Sequence, residues 1–157
     1  SMMSNDTAVS YDQFRRYAQR FIAVMDRAQT LPTRSFLLEL GSALAELYAL
    51  ALMLPDPGAG GRARSPVDVA IPSLEAVHAA VSGDGPGSPA YTLTDDLAAV
   101  YCALKSGIVR MSHGTAPSEI LRHWRHTFQT DWGDHATAAM RAIYLVLRDS
   151  TLTPSGR

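Results

Sequence analysis

Apolar residues recur every three or four positions over long parts of the chain, which is the spacing of one face of an α-helix. The first such segment, about Tyr11–Ala28, follows a capping-box pattern. In this pattern Ser10 caps the helix, and the side chain of Gln13 is placed to accept a hydrogen bond from the backbone N–H of Ser10. Pro32 then marks a turn and the start of a second helix, about Thr33–Leu54. These patterns predict two consecutive helices in the N-terminal third of the chain.

The second predicted helix is apolar around most of its circumference. Its main stripe consists of Leu37, Leu40, Leu44, Leu47, Ala51 and Leu54. A second row consists of Leu38, Ala45, Ala49 and Leu52. Because an apolar face that takes up more than half of the circumference is typical of a deeply buried helix, the pattern predicts that this helix is central in the fold.

The middle of the chain is dominated by glycine and proline. Two loops, Pro55–Ala70 and Ser82–Ala90, flank a short helix predicted over Pro72–Val81. Val67–Ile71 is the only short candidate for a strand. We therefore expect the weakest element of the fold to lie between these two loops.

The C-terminal half predicts long helices. Thr94 is placed to cap a helix that ends at His113-Gly114, and Pro117 lies in the first turn of the next helix. From Ile120 to Leu147 one apolar face continues for about seven turns. Gly133 interrupts this run at a cost of about 1 kcal/mol against alanine. The pattern favours one kinked helix over two helices that meet near Asp131–Gly133.

These segments predict an all-α protein, an antiparallel bundle of about five to six helices. The bundle is expected to form one domain over residues 10–150. Ser1 before Met2 is typical of a remnant of an expression tag, and disorder is expected over residues 1–9 and 151–157.

Composition narrows the possible functions. Apolar residues make up 46% and charged residues 18% of 157, and the net charge is −1. This balance gives no electrostatic attraction for nucleic acids or for an anionic membrane. The one cysteine, Cys102, cannot form an internal disulfide, which fits a cytoplasmic protein. No phosphate-binding loop, nucleotide-binding glycine motif, nucleophile elbow or CxxC pair is present, so we expect no cofactor and no metal.

The segment Asp131–Ala136 is the strongest candidate for a functional site. Trp132 and His135 are three residues apart on one helix face, and Asp131 lies four residues before His135. A carboxylate that holds one ring nitrogen would orient the other toward a ligand or partner. Alternatively, Gly133 permits a close helix contact that Trp132 fills. Both interpretations stay open, and packing is favoured.

Two further groups are weaker candidates. Asp95 and Asp96 precede Tyr101 on the predicted fourth helix, but adjacent helical residues diverge by about 100°, so capping explains the carboxylates better. In the run from Arg122 to His126, basic residues including Arg125 flank Trp124, and a solvated basic face is the favoured interpretation.

The C-terminal half also resembles a bacterial family known as domain of unknown function 5063. The matching segments are Thr94–Tyr101, Lys105–Gly107, Trp124–Phe128, Asp131–Ala136 and Ala139–Ala142, and the region from Leu44 to Pro55 is also similar. One departure is the shortened loop Gly83–Tyr91, where the family has an aromatic, acidic stretch. The resemblance implies a helical fold and a bacterial source, and it implies no activity.

The leading functional hypothesis is a non-enzymatic helical module that binds a protein partner or self-associates. The alternative is a bundle that binds a small ligand or metal near Trp132 and His135. The candidate site residues are Trp132, His135, Asp131, Trp124, Tyr101, Asp95 and Arg125.

Overall fold

The computed structural model describes residues 9–56 and 67–149, and they contain α-helices and no strand. The predicted all-α class is therefore confirmed. The helices are α1 Tyr11–Asp26, α2 Thr33–Ala51, α3 Glu75–Val81, α4 Leu93–Ser112, α5 Pro117–Thr127 and α6 Gly133–Arg148. The predicted terminal disorder, apart from Val9, and the central part of the Pro55–Ala70 loop lie outside the described residues. Val9 is buried in the core, so ordered packing begins before the predicted boundary.

The pair α1 and α2 is antiparallel and closed by ion pairs at its edge. Ser10 caps α1 as predicted, because its side chain accepts a hydrogen bond from the backbone of Gln13 at 3.1 Å. Arg20 pairs with Glu46, and Arg27 pairs with Glu39 at 3.6 Å. These contacts join the two helices along the flank of α2 that faces α1.

The last two helices form one rod. A π-helical segment, Phe128–Trp132, joins α5 to α6, and the residues on either side of it keep right-handed helical backbone angles. The backbone N–H of Gly133 donates to the carbonyl oxygen of Phe128, five residues earlier. The interruption predicted near Asp131–Gly133 is thus a π turn inside a continuous helix. Such turns add one residue to an otherwise α-helical ladder.

This rod packs antiparallel to α4 and to α2. Along α4, Asp96 meets His135 near one end and Gly107 meets Trp124 near the other. Along α2, the ring of Tyr48 lies 5.5 Å from that of Phe128. The predicted main stripe of α2 is buried, from Leu37 to Leu54. The result is a bundle in which the C-terminal rod bridges the two long helices that precede it.

Several predicted boundaries differ from the structure. Val67–Ile71 is not a strand, and α3 begins at Glu75 rather than at Pro72, with Leu74 at its N-cap. Helix α4 begins at Leu93, with Thr92 rather than Thr94 at the N-cap and no side-chain capping bond. None of the helices in residues 9–56 and 67–149 has the length and hydrophobicity needed to span a bilayer.

Candidate functional site

The two tryptophans of the candidate set lie wholly in the core. Trp124 stacks on Tyr11 with ring centroids 5.7 Å apart, and its indole N–H donates to the carbonyl of Ala103 at 3.2 Å. The indole N–H of Trp132 donates to the carbonyl of Trp124 at 3.2 Å, and its ring lies 4.7 Å from that of Phe128. Both side chains are 0% exposed. Their contacts are therefore those of packing residues, as the favoured interpretation of Asp131–Ala136 predicts for Trp132.

His135 is held between two carboxylates. Its Nδ1 lies 2.7 Å from Oδ1 of Asp96, and its Nε2 lies 3.4 Å from Oδ1 of Asp131. Asp96 is only 8% exposed, and Thr92 donates to its second oxygen at 3.3 Å. The predicted pairing with Asp131 is present, but the closer partner comes from α4. Sequence spacing within one helix could not reveal a partner 39 residues away.

The carboxylates around His135 raise its pKa above the usual value. The hydrogen bond that His135 donates to Asp96 is the largest cause of the raised pKa, partial burial opposes it, and the charges of Asp131, Asp96 and Asp134 add to the rise. A histidine with a raised pKa in the folded protein stabilises it fully below the unfolded pKa, about 6.5, and loses this effect as pH rises through the folded pKa.

We therefore expect Asp96→Asn to destabilise the protein more in acid than in base. Asparagine can still accept from Nδ1 but removes the charge that favours the imidazolium. The gap in melting temperature from wild type should be wider at about pH 5.5 than at about pH 8.5. Asp84→Asn, at an exposed loop carboxylate, is the matched control. A gap that is constant, or that widens with pH, would contradict the role of this charge pair.

Tyr101 and Arg125 fasten helices together at other places. The hydroxyl of Tyr101 donates to Oδ1 of Asp26 at 2.8 Å, and burial with this bond raises its pKa to about 12. The guanidinium of Arg125 donates to the carbonyls of Ala51 and Leu52 at 3.0 and 3.4 Å. Because these carbonyls end α2, Arg125 serves as its C-terminal cap. The prediction of a solvated basic face is therefore wrong at Arg125.

Asp95 lines a shallow groove between α3 and α4. The groove has a volume of about 320 Å³ and is lined by Ile71, Pro72, Leu74, Glu75, His78, Thr94 and Asp95. Nδ1 of His78 lies 3.0 Å from the hydroxyl of Ser82. In the described parts of the chain, no three histidine, cysteine or acidic side chains converge as metal ligands would. The seven candidate residues thus lie in the core, at two helix-fastening contacts, at the His135 cluster and in this groove.

A surface that was predicted to be buried is the largest departure from expectation. We call the second predicted row of Leu38, Ala45, Ala49 and Leu52, together with the neighbouring Met53, the outer face of α2. All five are exposed, with Leu38 at 50%, Leu52 at 52% and Met53 at 51%. The prediction that α2 is central is therefore wrong on this side, because no helix of the described chain covers it. The apolar row in the sequence indicates a buried helix face, but it does not identify the element that covers this face.

The fold has a counterpart among solved structures. The crystal structure of protein BF1032 from Bacteroides fragilis superposes with a TM-score of 0.65 at 24% identity, over 85% of this chain and 91% of that chain. This likeness concerns the fold alone. A comparison with curated proteins finds no match.

The family comparison concerns the C-terminal half. Residues 72–149 match the family model and include α3, α4, the Asp96–His135 pair and the whole C-terminal rod. The similar segment from Leu44 to Pro55 lies outside this match. The resemblance predicted from the sequence is confirmed: through residues 72–149 the chain belongs to the family Domain of unknown function (DUF5063).

Proposed function

We propose that the protein is a non-enzymatic, cytoplasmic helical module that binds another protein chain through the outer face of α2. The observation that carries this proposal is that residues of α2 with the apolar pattern of a buried helix face are exposed to solvent in the structure. The row of Leu38, Ala45, Ala49 and Leu52 has the pattern of a buried helix face, and residues 9–56 and 67–149 leave it exposed. Contiguous exposed apolar surface of this kind is typical of protein interaction sites.

The charge distribution on α2 supports this assignment. Between Ser35 and Met53 the only charged residues are Glu39 and Glu46. Both lie on the flank that faces α1 and pair there with arginines. The five residues of the outer face carry no charge, and the half-exposed carboxylates at its border are already paired with arginines of α1. Full burial of an exposed leucine contributes about 1.5–3 kcal/mol, so covering Leu38 or Leu52, which are half exposed, contributes about half of that before the costs of association.

The outer face is also held rigid by the fold. Arg125 fixes the C-terminal end of α2 at Ala51 and Leu52. Further along, a Cβ atom on Gly41 would lie 3.3 Å from Cγ2 of Ile143, so α2 and α6 approach closely. A preformed surface loses little conformational entropy on binding. The ligand pocket predicted near Trp132 and His135 has less support, because the core encloses Trp132 completely.

We expect the double variant Leu38→Glu/Leu52→Glu to lose association by at least about tenfold, because two carboxylates would have to be desolvated in the interface. Light scattering measures association between copies. Native capture from extracts of the source cells, followed by rebinding of the identified and purified partner, measures association with another protein. Both sites are exposed, so melting temperature should change little.

Met111→Glu is the matched control, because Met111 is an exposed apolar residue, 38% accessible, on α4. It should associate like wild type. A wild-type chain that stays strictly monomeric and recovers no partner contradicts the proposal. An equal loss in Met111→Glu also contradicts it.

A further inference from the structure

We draw no further inference here: the strongest candidate, the exposed apolar outer face of α2 around Leu38, Leu52 and Met53, belongs to the site already described, and nothing in residues 9–56 and 67–149 shows what covers it.

Discussion

We expect Gly107→Ala to lower the free energy of unfolding by roughly 1–3 kcal/mol, as overpacking of a core does. A Cβ atom at position 107 would lie 2.4 Å from two atoms of the Trp124 indole and 2.5 Å from a third. The indole cannot move aside easily, because it stacks on Tyr11 and its N–H is bonded to Ala103. Helix propensity alone favours alanine over glycine by about 0.8–1 kcal/mol. A loss of stability in Gly107→Ala would therefore show that the steric contact with Trp124 outweighs helix propensity.

Chemical denaturation with matched variants would measure this effect. Gly41→Ala is the helical control and should be nearly neutral, since its Cβ would lie 3.3 Å from the Cγ2 methyl of Ile143, compared with 2.4 Å from the indole at position 107. Trp124→Leu in the Gly107→Ala background should be less harmful than in wild type, with a coupling energy of at least about 1 kcal/mol. Increased stability of Gly107→Ala, or strict additivity with Trp124→Leu, would contradict the proposed close contact.

The second large effect is expected at Gly133, where the π segment joins α6. A Cβ atom there would lie 2.3 Å from the carbonyl oxygen of Phe128, the same oxygen that accepts the N–H of Gly133. Because the neighbouring atom belongs to the backbone, Gly133→Ala must displace the helix itself. We expect a loss of roughly 1–3 kcal/mol, the usual range for enforced backbone strain.

Near-ultraviolet circular dichroism should report the same change, since Trp132 directly precedes Gly133 and is wholly buried. Ala138→Gly, at an exposed position of α6, calibrates the ordinary difference of about 1 kcal/mol between alanine and glycine. If Gly133→Ala were stabilising and left the tryptophan signal unchanged, the π turn would not need glycine. The effect of Gly133 on stability would then be only the lower helix propensity of glycine compared with alanine.

Local rules predicted much of the fold. Ser10 with Gln13 fixed the start of α1, and Pro117 marked the start of α5. The main stripe from Leu37 to Leu54 was correctly assigned to the core. These successes share a cause, because capping and helical periodicity depend on residues within a few positions of one another.

The features that were missed depend on distant partners. Asp96 was assigned to a helix dipole, and only the antiparallel packing of α4 on α6 brings it to His135. Arg125 was assigned to a solvated face, and only tertiary packing brings it to the end of α2. The π turn was predicted as a kink. One inserted residue hardly disturbs the apolar periodicity, so the sequence shows a continuous helix with an interruption and does not reveal its hydrogen-bond pattern.

The outer face of α2 is a different kind of departure. Its apolar pattern is typical of a buried helix face, but a single sequence does not say whether the cover comes from the same chain or another. In residues 9–56 and 67–149 no helix supplies that cover, and Leu38 and Leu52 stay half exposed. We therefore take the disagreement between pattern and exposure as information about assembly.

The most direct measurement compares oxidation of Met53 and Met111 in the wild-type protein, by peroxide and mass spectrometry. In the single chain they are 51% and 38% exposed, so Met53 should react at least as fast as Met111 if the outer face is free. Our account predicts that Met53 is protected several-fold relative to Met111 when the protein is associated, and that Leu38→Glu/Leu52→Glu removes this protection. Equal reactivity of Met53 in wild type and variant, under conditions that include native cell extract, would contradict it.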